Sequence, residues 1–372
     1  MKNLRVGLIG AGNWAGAAHL PAFAGQQAVR VVGITDLDPS RAAALAQDFG
    51  IDQTYPDLES MLDQAGLDIL DIITSRGMHF EPAMVAIGRG LDILCEKPLG
   101  HNLPEARTLY QSARDAGIVA HMGFTFRYSP AVRYLRDLIL DGFVGEVYHL
   151  QGFEQNALLV DPEIPLPRIG FSRETDSGAL HGYGSHLLDL ARWILGEFEQ
   201  VIGDMATYIH ERPVLGEDLR LKVEVDDSTT VLGRFESGAQ ALMQFSKIAM
   251  GHPPGVEMRI YGSKAALWVR LEDSPRGYEN LWVATLDDRN FRPLAVPPEY
   301  SAGHDPDAGS TKNYYTALVR HFLQRVRDRD TAPGASDFSD GLRAQEVLEA
   351  IEMSHTDRRW VKLQEVGARH RW

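Results

Sequence analysis

Apolar positions along this chain recur with two alternating periods, and the switches between them mark its elements. Val6-Gly7-Leu8-Ile9 is a short apolar run that breaks into Gly10-Ala11-Gly12-Asn13-Trp14. Ala17, Leu20, Phe23 and Ala24 then follow at helical spacing. A strand, a tight turn and a helix are predicted. The switch repeats: a strand over 29–35, a helix opened by Pro39 over 42–46, and a short helix near 58–62. Strands follow at 67–73, 92–95 and 118–124, separated by helices at about 79–89 and 103–116. Such alternation predicts a parallel, doubly wound sheet with right-handed crossovers. Ligands in that architecture lie beyond the carboxyl ends of the strands.

The pattern changes near residue 125, which predicts a first domain over 1–124 and a second over 125–372. After a helix at 131–140 come strand-like runs at 146–153, 199–208, 228–235, 239–246, 256–261 and 265–269, with Glu236-Ser237-Gly238 as a hairpin turn. A mainly antiparallel sheet in an α+β domain is expected. Val231 and Phe235 share one strand face while Leu232 takes the other. A sheet with helices on one side only would leave such residues bare, so a homo-oligomer, dimer or tetramer, is expected through that sheet. The Pro-rich, polar stretch 157–175 has little periodicity and reads as a substrate loop or lid. Leu187, Leu190, Ala191 and Ile194 form an apolar helical face that stops at Gly196, and two further helical patterns cover 313–329 and 338–356. Arg320, Arg325, Arg327 and Arg329 read as a solvated face.

Composition narrows the functional classes. The chain has 372 residues, enough for two cores, and a net charge of −14, which argues against a general nucleic-acid surface. Lys2 and Arg5 before an apolar run resemble a signal peptide, but Gly10 and Gly12 interrupt it early. No apolar run is long enough to span a membrane. The single cysteine, Cys95, lies in an apolar strand and reads as a core residue; a reducing cytoplasm is the expected compartment.

Candidate chemistry gathers at three strand ends. Gly10-x-Gly12-x-x-Ala15 has the spacing of a dinucleotide-binding turn, in which Gly10 permits the turn, Gly12 admits a pyrophosphate to the backbone, and Ala15 lets helix and strand pack closely. Asp36 ends the next strand about 20 positions on, where a carboxylate grips a ribose 2′-hydroxyl; this favours NAD over NADP, although Arg41 offsets that preference. Thr74, Ser75 and His79 line the second strand end and face the nicotinamide half of such a cofactor. The third is Glu96-Lys97-Pro98. A lysine at the end of a buried strand is rare without a purpose, and an ammonium beside an oxidised nicotinamide is disfavoured, which suits proton exchange with a substrate hydroxyl. A cis Lys97–Pro98 bond is expected.

The glycine-rich start, Asp36, His79, Glu96-Lys97-Pro98, Gly123-Phe124-Thr125-Phe126-Arg127-Tyr128-Ser129-Pro130 and Gly142-x-x-Gly145-Glu146-Val147 together resemble the Gfo/Idh/MocA family of NAD(P)-dependent oxidoreductases. The likeness continues through Gly341-Leu342-Arg343-Ala344 and Ser354 and spans essentially the whole chain. It implies an N-terminal Rossmann sheet, a C-terminal α+β domain on an open-faced sheet, and oligomerisation through that sheet. It implies NAD, with NADP as the variant, and a carbohydrate, cyclitol or related polyol as substrate; no metal, nucleic acid or membrane is invoked. The cofactor-binding set is then Gly10, Ala11, Gly12, Asn13, Trp14, Asp36, Arg41, Thr74, Ser75, His79, Glu96 and Lys97. Lys97 is the expected acid/base, assisted by His186, with Glu96 holding Lys97 or the cofactor. Arg127, Glu154, Tyr183 and His186 are substrate candidates. One departure stands out. The family pattern places Asp four residues before this histidine, and this chain has Gly182. His181, Tyr183, Asp176 and Glu154 are the candidate substitutes. The departure keeps two other functions open: glycoside hydrolysis or elimination through transient oxidation, and a non-catalytic dinucleotide-sensing regulator.

Overall fold

The structure is a computed structural model and describes residues 3–175, 177–272, 279–305, 307–331 and 335–369. Asp176, Ala332-Pro333-Gly334 and the closing His370-Arg371-Trp372 lie outside the described residues. The chain forms two compact units: Met1–Thr125 with Thr311–Leu342, and Phe126–Ser310 with Arg343–Trp372. The single sequence boundary near 125 therefore differs from the observed division, in which part of the C-terminal region belongs to the first unit. Tyr315 bonds to His19 and Glu96, and the Met122 amide donates to the Ser336 carbonyl, which fixes that return.

In the first unit, β1 (Leu4–Ile9), β2 (Val29–Thr35), β3 (Gln53–Thr54), β4 (Ile69–Ile72), β5 (Asp92–Cys95) and β6 (Ala120–Met122) form one sheet in the order β3-β2-β1-β4-β5-β6. Every pairing is parallel. The strands at the centre are apolar on both faces, as a sheet covered on both sides requires. Helices α1 (Leu20–Ala24), α2 (Pro39–Phe49), α3 (Leu58–Gln64), α4 (Phe80–Gly88) and α5 (Leu103–Ala116) lie between them in sequence. Caps define several ends: Asp38, Asp57 and Asn102 accept from backbone amides at the starts of α2, α3 and α5.

The second unit opens with α6 (Pro130–Leu140), capped by Ser129, and β7 (Val147–Gln155). Helix α7 (Ser185–Leu195) follows, then β8 (Phe198–Ala206), β9 (Glu211–Pro213), β10 (Arg220–Lys222), β11 (Ser228–Phe235), β12 (Gln240–Ser246), β13 (Gly255–Gly262), β14 (Ala265–Glu272), β15 (Glu279–Thr285) and β16 (Arg292–Pro293). Helices α8 (Ser310–Asp328) and α9 (Phe338–Asp357), strand β17 (Val361–Lys362) and α10 (Leu363–Arg369) complete the described chain. One sheet runs β16-β15-β14-β13-β7-β12-β11-β8-β17, antiparallel except at β12–β7. The hairpin at Glu236–Gly238 joins β11 to β12 as expected, with Gly238 at φ 90°. Strands β9, β10, β15, β16 and β17 were not anticipated; all but β15 are two or three residues long.

Candidate active site

The glycine turn is built as its spacing predicts. Gly10 sits at φ 104°, and a Cβ there would meet the Ile73 backbone at 2.8 Å, so only glycine fits. Around Gly12, by contrast, a Cβ would meet nothing within 4 Å, leaving open room for a ligand to approach the backbone. Asp36 accepts from the Ala11 amide at 2.6 Å and the Asp38 amide at 2.8 Å, which fixes its carboxylate at the end of β2 beside this turn. Arg41 is exposed and pairs loosely with Asp38 at 3.4 Å. A single turn of wide helix, Ala15–His19, leads into the short α1, so the predicted helix is present but broken into two pieces.

At the end of β4, Thr74 closes the following turn by donating to the Met78 carbonyl at 3.2 Å, and Ser75 precedes that turn half-buried. His79 departs from the role expected of it. It is fully buried, with Nδ1 2.9 Å from the Pro98 carbonyl and Nε2 2.9 Å from the Thr74 carbonyl. Its ring lies between the second strand end and the third, each nitrogen next to a backbone carbonyl. Burial, outweighing the two carbonyls, lowers its pKa.

The third strand end carries the densest chemistry. Lys97 is half-buried after β5, and the Lys97–Pro98 bond is cis. Glu96 is buried. Its Oε1 accepts from the Trp14 indole at 3.0 Å and the Tyr315 hydroxyl at 3.1 Å, while Oε2 accepts from the Lys97 amide at 3.2 Å. His19 lies behind it, with Nδ1 2.7 Å from Asp71 and Nε2 2.6 Å from the Tyr315 oxygen. Burial alone would lower the His19 pKa, but Asp71 and Glu96 together raise it to about 9. Burial also pushes the Asp71 carboxyl up, against the pull of His19. With a carboxylate on each side of the imidazole, we place the proton on His19. Burial, aided by Glu96 and Asp71, holds Tyr315 well above its ordinary value, so it stays a phenol.

In the second unit, the glycine-rich stretch becomes a wide helical turn, Leu180–Gly184, continuous with α7. Asp226 fixes its start: Oδ2 accepts from the Leu180 amide at 2.9 Å and the Thr229 hydroxyl at 2.7 Å, and its carbonyl accepts from the Ala179 amide. Gly178 lies at φ 57°, where a Cβ would sit 2.1 Å from Asp226 Oδ1. Gly178→Ala is therefore expected to cost about 1–3 kcal/mol, read as a lowered denaturant midpoint. An unchanged midpoint would show that Asp226 moves freely.

His186 begins α7 half-buried, its ring 4.9 Å from Phe126 in an edge contact. The Tyr183 hydroxyl accepts from Asn156 Nδ2 at 2.7 Å, and Glu154, two residues before Asn156 on β7, is buried. His181 Nε2 lies 3.0 Å from Glu352 Oε1. A Cβ at Gly182 would meet only Ser177 at 3.7 Å, so packing does not demand glycine there. Arg127 corrects its expected role as a substrate contact. Its Nε and Nη2 donate to Asp189 at 2.7 and 2.5 Å, both side chains are buried, and its guanidinium lies 5.3 Å from the Trp193 ring centroid. It anchors α7. The stretch read as a lid is likewise held down: Arg212, buried, donates to the Leu159 and Asp161 carbonyls, and the Leu159 amide donates to Lys247.

Residues 4–124 match the oxidoreductase family with an NAD-binding Rossmann fold, and residues 132–268 match the GFO/IDH/MocA C-terminal domain. The chain is 28% identical to levoglucosan dehydrogenase of Pseudarthrobacter phenanthrenivorans over 99% of its own length and 100% of that protein. The chain belongs to the Gfo/Idh/MocA family. A solved structure of levoglucosan dehydrogenase in complex with NADH and levoglucosan superposes with a TM-score of 0.86 at 27% identity, covering 97% of this chain and all of the other. An oxidoreductase domain protein from Kribbella flavida gives 0.87 at 30% identity, covering 98% and 100%. As a Gfo/Idh/MocA protein, the chain is an NAD-binding oxidoreductase with a Rossmann first unit, as the sequence implied.

Within this Gfo/Idh/MocA framework, sequence reasoning missed His19, Asp71 and Tyr315, although Asp71 in an otherwise apolar strand was a signal that a partner must exist. The His19 pKa also gives a pH dependence. Because it is raised in the folded chain, its stabilisation is complete below about 6.5 and is lost as pH rises through about 9. Stability, read as the melting temperature, is expected to fall across that window. His19→Gln should lack that fall; a flat wild-type profile would contradict the assignment.

Proposed function

We propose that the protein is an NAD-dependent dehydrogenase of a sugar, cyclitol or related polyol, with Lys97 as its acid/base and His186 assisting. The likeness over both halves to a dehydrogenase bound to NADH and an anhydrosugar carries this reading. The open space at Gly12 and the amides of Asn13 and Trp14 would hold the pyrophosphate; the Ala11 amide holds Asp36, and Asp36 would hold the adenine ribose. Asp36 favours NAD, because a 2′-phosphate would meet its charge. Bound there, the dinucleotide accepts or gives the hydride. Lys97 takes the proton from the substrate hydroxyl during oxidation and returns it during reduction. Glu96 and His79 hold the Lys97 strand end, while Tyr183 and Glu154 supply substrate contacts in the second unit.

Residues 1–124, completed by Thr311–Leu342, bind the dinucleotide; the remainder carries substrate and subunit contacts. The enzyme works in the cytoplasm as a homo-oligomer, dimer or tetramer. Among the described residues no helix is long and apolar enough to cross a membrane. The outer face of the large sheet carries a cross-strand row of Ile202, Leu232, Leu242, Gln151, Arg259 and Trp268. Leu232 is 46% and Leu242 37% exposed, an apolar surface suited to a second copy of this chain. Leu232→Glu should reduce the sedimenting mass; a wild-type monomer at micromolar concentration overturns the oligomer.

The function is tested by following NADH absorbance with purified protein, NAD and a panel of aldoses, anhydrosugars, cyclitols and glycosides. A rise with one substrate class, larger with NAD than NADP, is expected. No nucleotide turnover in either direction across the panel sinks the reading.

A further inference from the structure

The buried groups behind Glu96 form a directed chain of donors. His19 donates from Nδ1 to Asp71 and from Nε2 to the Tyr315 oxygen, with the same Nε2 3.3 Å from Glu96 Oε1, and the Tyr315 hydroxyl donates on to Glu96 Oε1. The same Oε1 accepts from Trp14, in the glycine turn, and the other oxygen accepts from the Lys97 amide. His19, Asp71 and Tyr315 are fully buried, and Glu96 is 7% exposed. The Tyr315 ring packs against His19 at 4.3 Å and meets Trp14 edge-on at 5.9 Å. These groups come from the turn after β1, from β4, from the end of β5 and from α8.

We infer that Tyr315 and His19 are positioning residues that aim the Glu96 carboxylate, so that it joins the nucleotide turn, through Trp14, to the strand end that carries Lys97. A carboxylate free to rotate satisfies its oxygens in several ways. With Tyr315 and Trp14 both donating to one oxygen, and the Lys97 amide to the other, a single orientation is favoured. Apolar packing would hold the strand ends near each other but would not select that orientation. The inference rests on the NAD-binding reading above, and the test separates the two.

NADH binding is measured by nucleotide fluorescence, without substrate. Wild type that fails to bind NADH defeats the functional reading itself. If wild type binds, Tyr315→Phe, which keeps the ring and removes only the hydroxyl, should weaken NADH about tenfold, the order expected for one hydrogen bond to a charged group. Trp14→Phe removes the indole donor and should produce a similar loss. The decisive measurement is the double variant. If Tyr315 acts by aiming Glu96 at Trp14, adding Tyr315→Phe to Trp14→Phe weakens binding no further. His19→Gln should behave as Tyr315→Phe does in both backgrounds. Losses that multiply to about a hundredfold in the double variant, as two independent packing defects would give, overturn the inference. So does wild-type affinity in Tyr315→Phe.

Discussion

Lys97→Ala is expected to lower kcat about 10²–10⁴-fold while NADH binding stays within a few-fold of wild type. The nucleotide turn, Asp36 and the Glu96–Trp14 bond are built from other side chains, and the substitution keeps the Lys97 amide that donates to Glu96. Removing the amine therefore leaves the turn intact and takes away the proposed proton carrier. Lys97→Arg extends the test, because a guanidinium restores the charge but cannot give up its proton. It should remain as impaired as the alanine variant. Substantial turnover in either protein removes Lys97 from the mechanism.

Arg127→Ala is expected to destabilise the second unit by about 3–5 kcal/mol, read as a lower denaturant midpoint. The reason lies in Asp189. With Arg127 present, that buried carboxylate receives two charge-assisted bonds; without it, the interior charge at the middle of α7 loses both and keeps the longer approach of Arg192 Nη1 at 4.0 Å. Since α7 also presents His186, proposed above as a substrate contact, the surviving folded protein should bind substrate poorly. Replacing both partners, as Arg127→Met with Asp189→Leu, should recover most of the stability, because an apolar pair of similar volume strands no charge. A loss below about 1 kcal/mol in the single variant would mean that water reaches the pair.

These two residues show what could and could not be read from the sequence. The strand ends were legible because local periodicity and glycine spacing determine them: β2, β11 and α5 fall on the expected residues, and the turn at Gly10 has the predicted backbone. Short strands such as β9 and β16 exist only through their neighbours, and two or three residues carry no period. Side-chain partnership was the least legible. Arg127 finds Asp189 at a separation of 62 positions, and Tyr315 finds His19 across 296, so nothing local distinguishes a structural arginine from one that meets a ligand. His79 was correctly placed at a strand end, yet two backbone carbonyls claim its ring.

The nucleotide-binding unit is discontinuous, and this constrains how the protein is made. Tyr315, Leu318, Val319 and Phe322 of α8 are buried, so the Rossmann sheet is finished by chain that leaves the ribosome after nearly all of the second unit. A nascent polypeptide halted before α8 would carry the glycine turn and Lys97 but not the phenol that closes the Glu96 cluster. Assembly of the cofactor pocket thus waits on synthesis through Leu342, and an excised N-terminal fragment would make a poor dinucleotide trap.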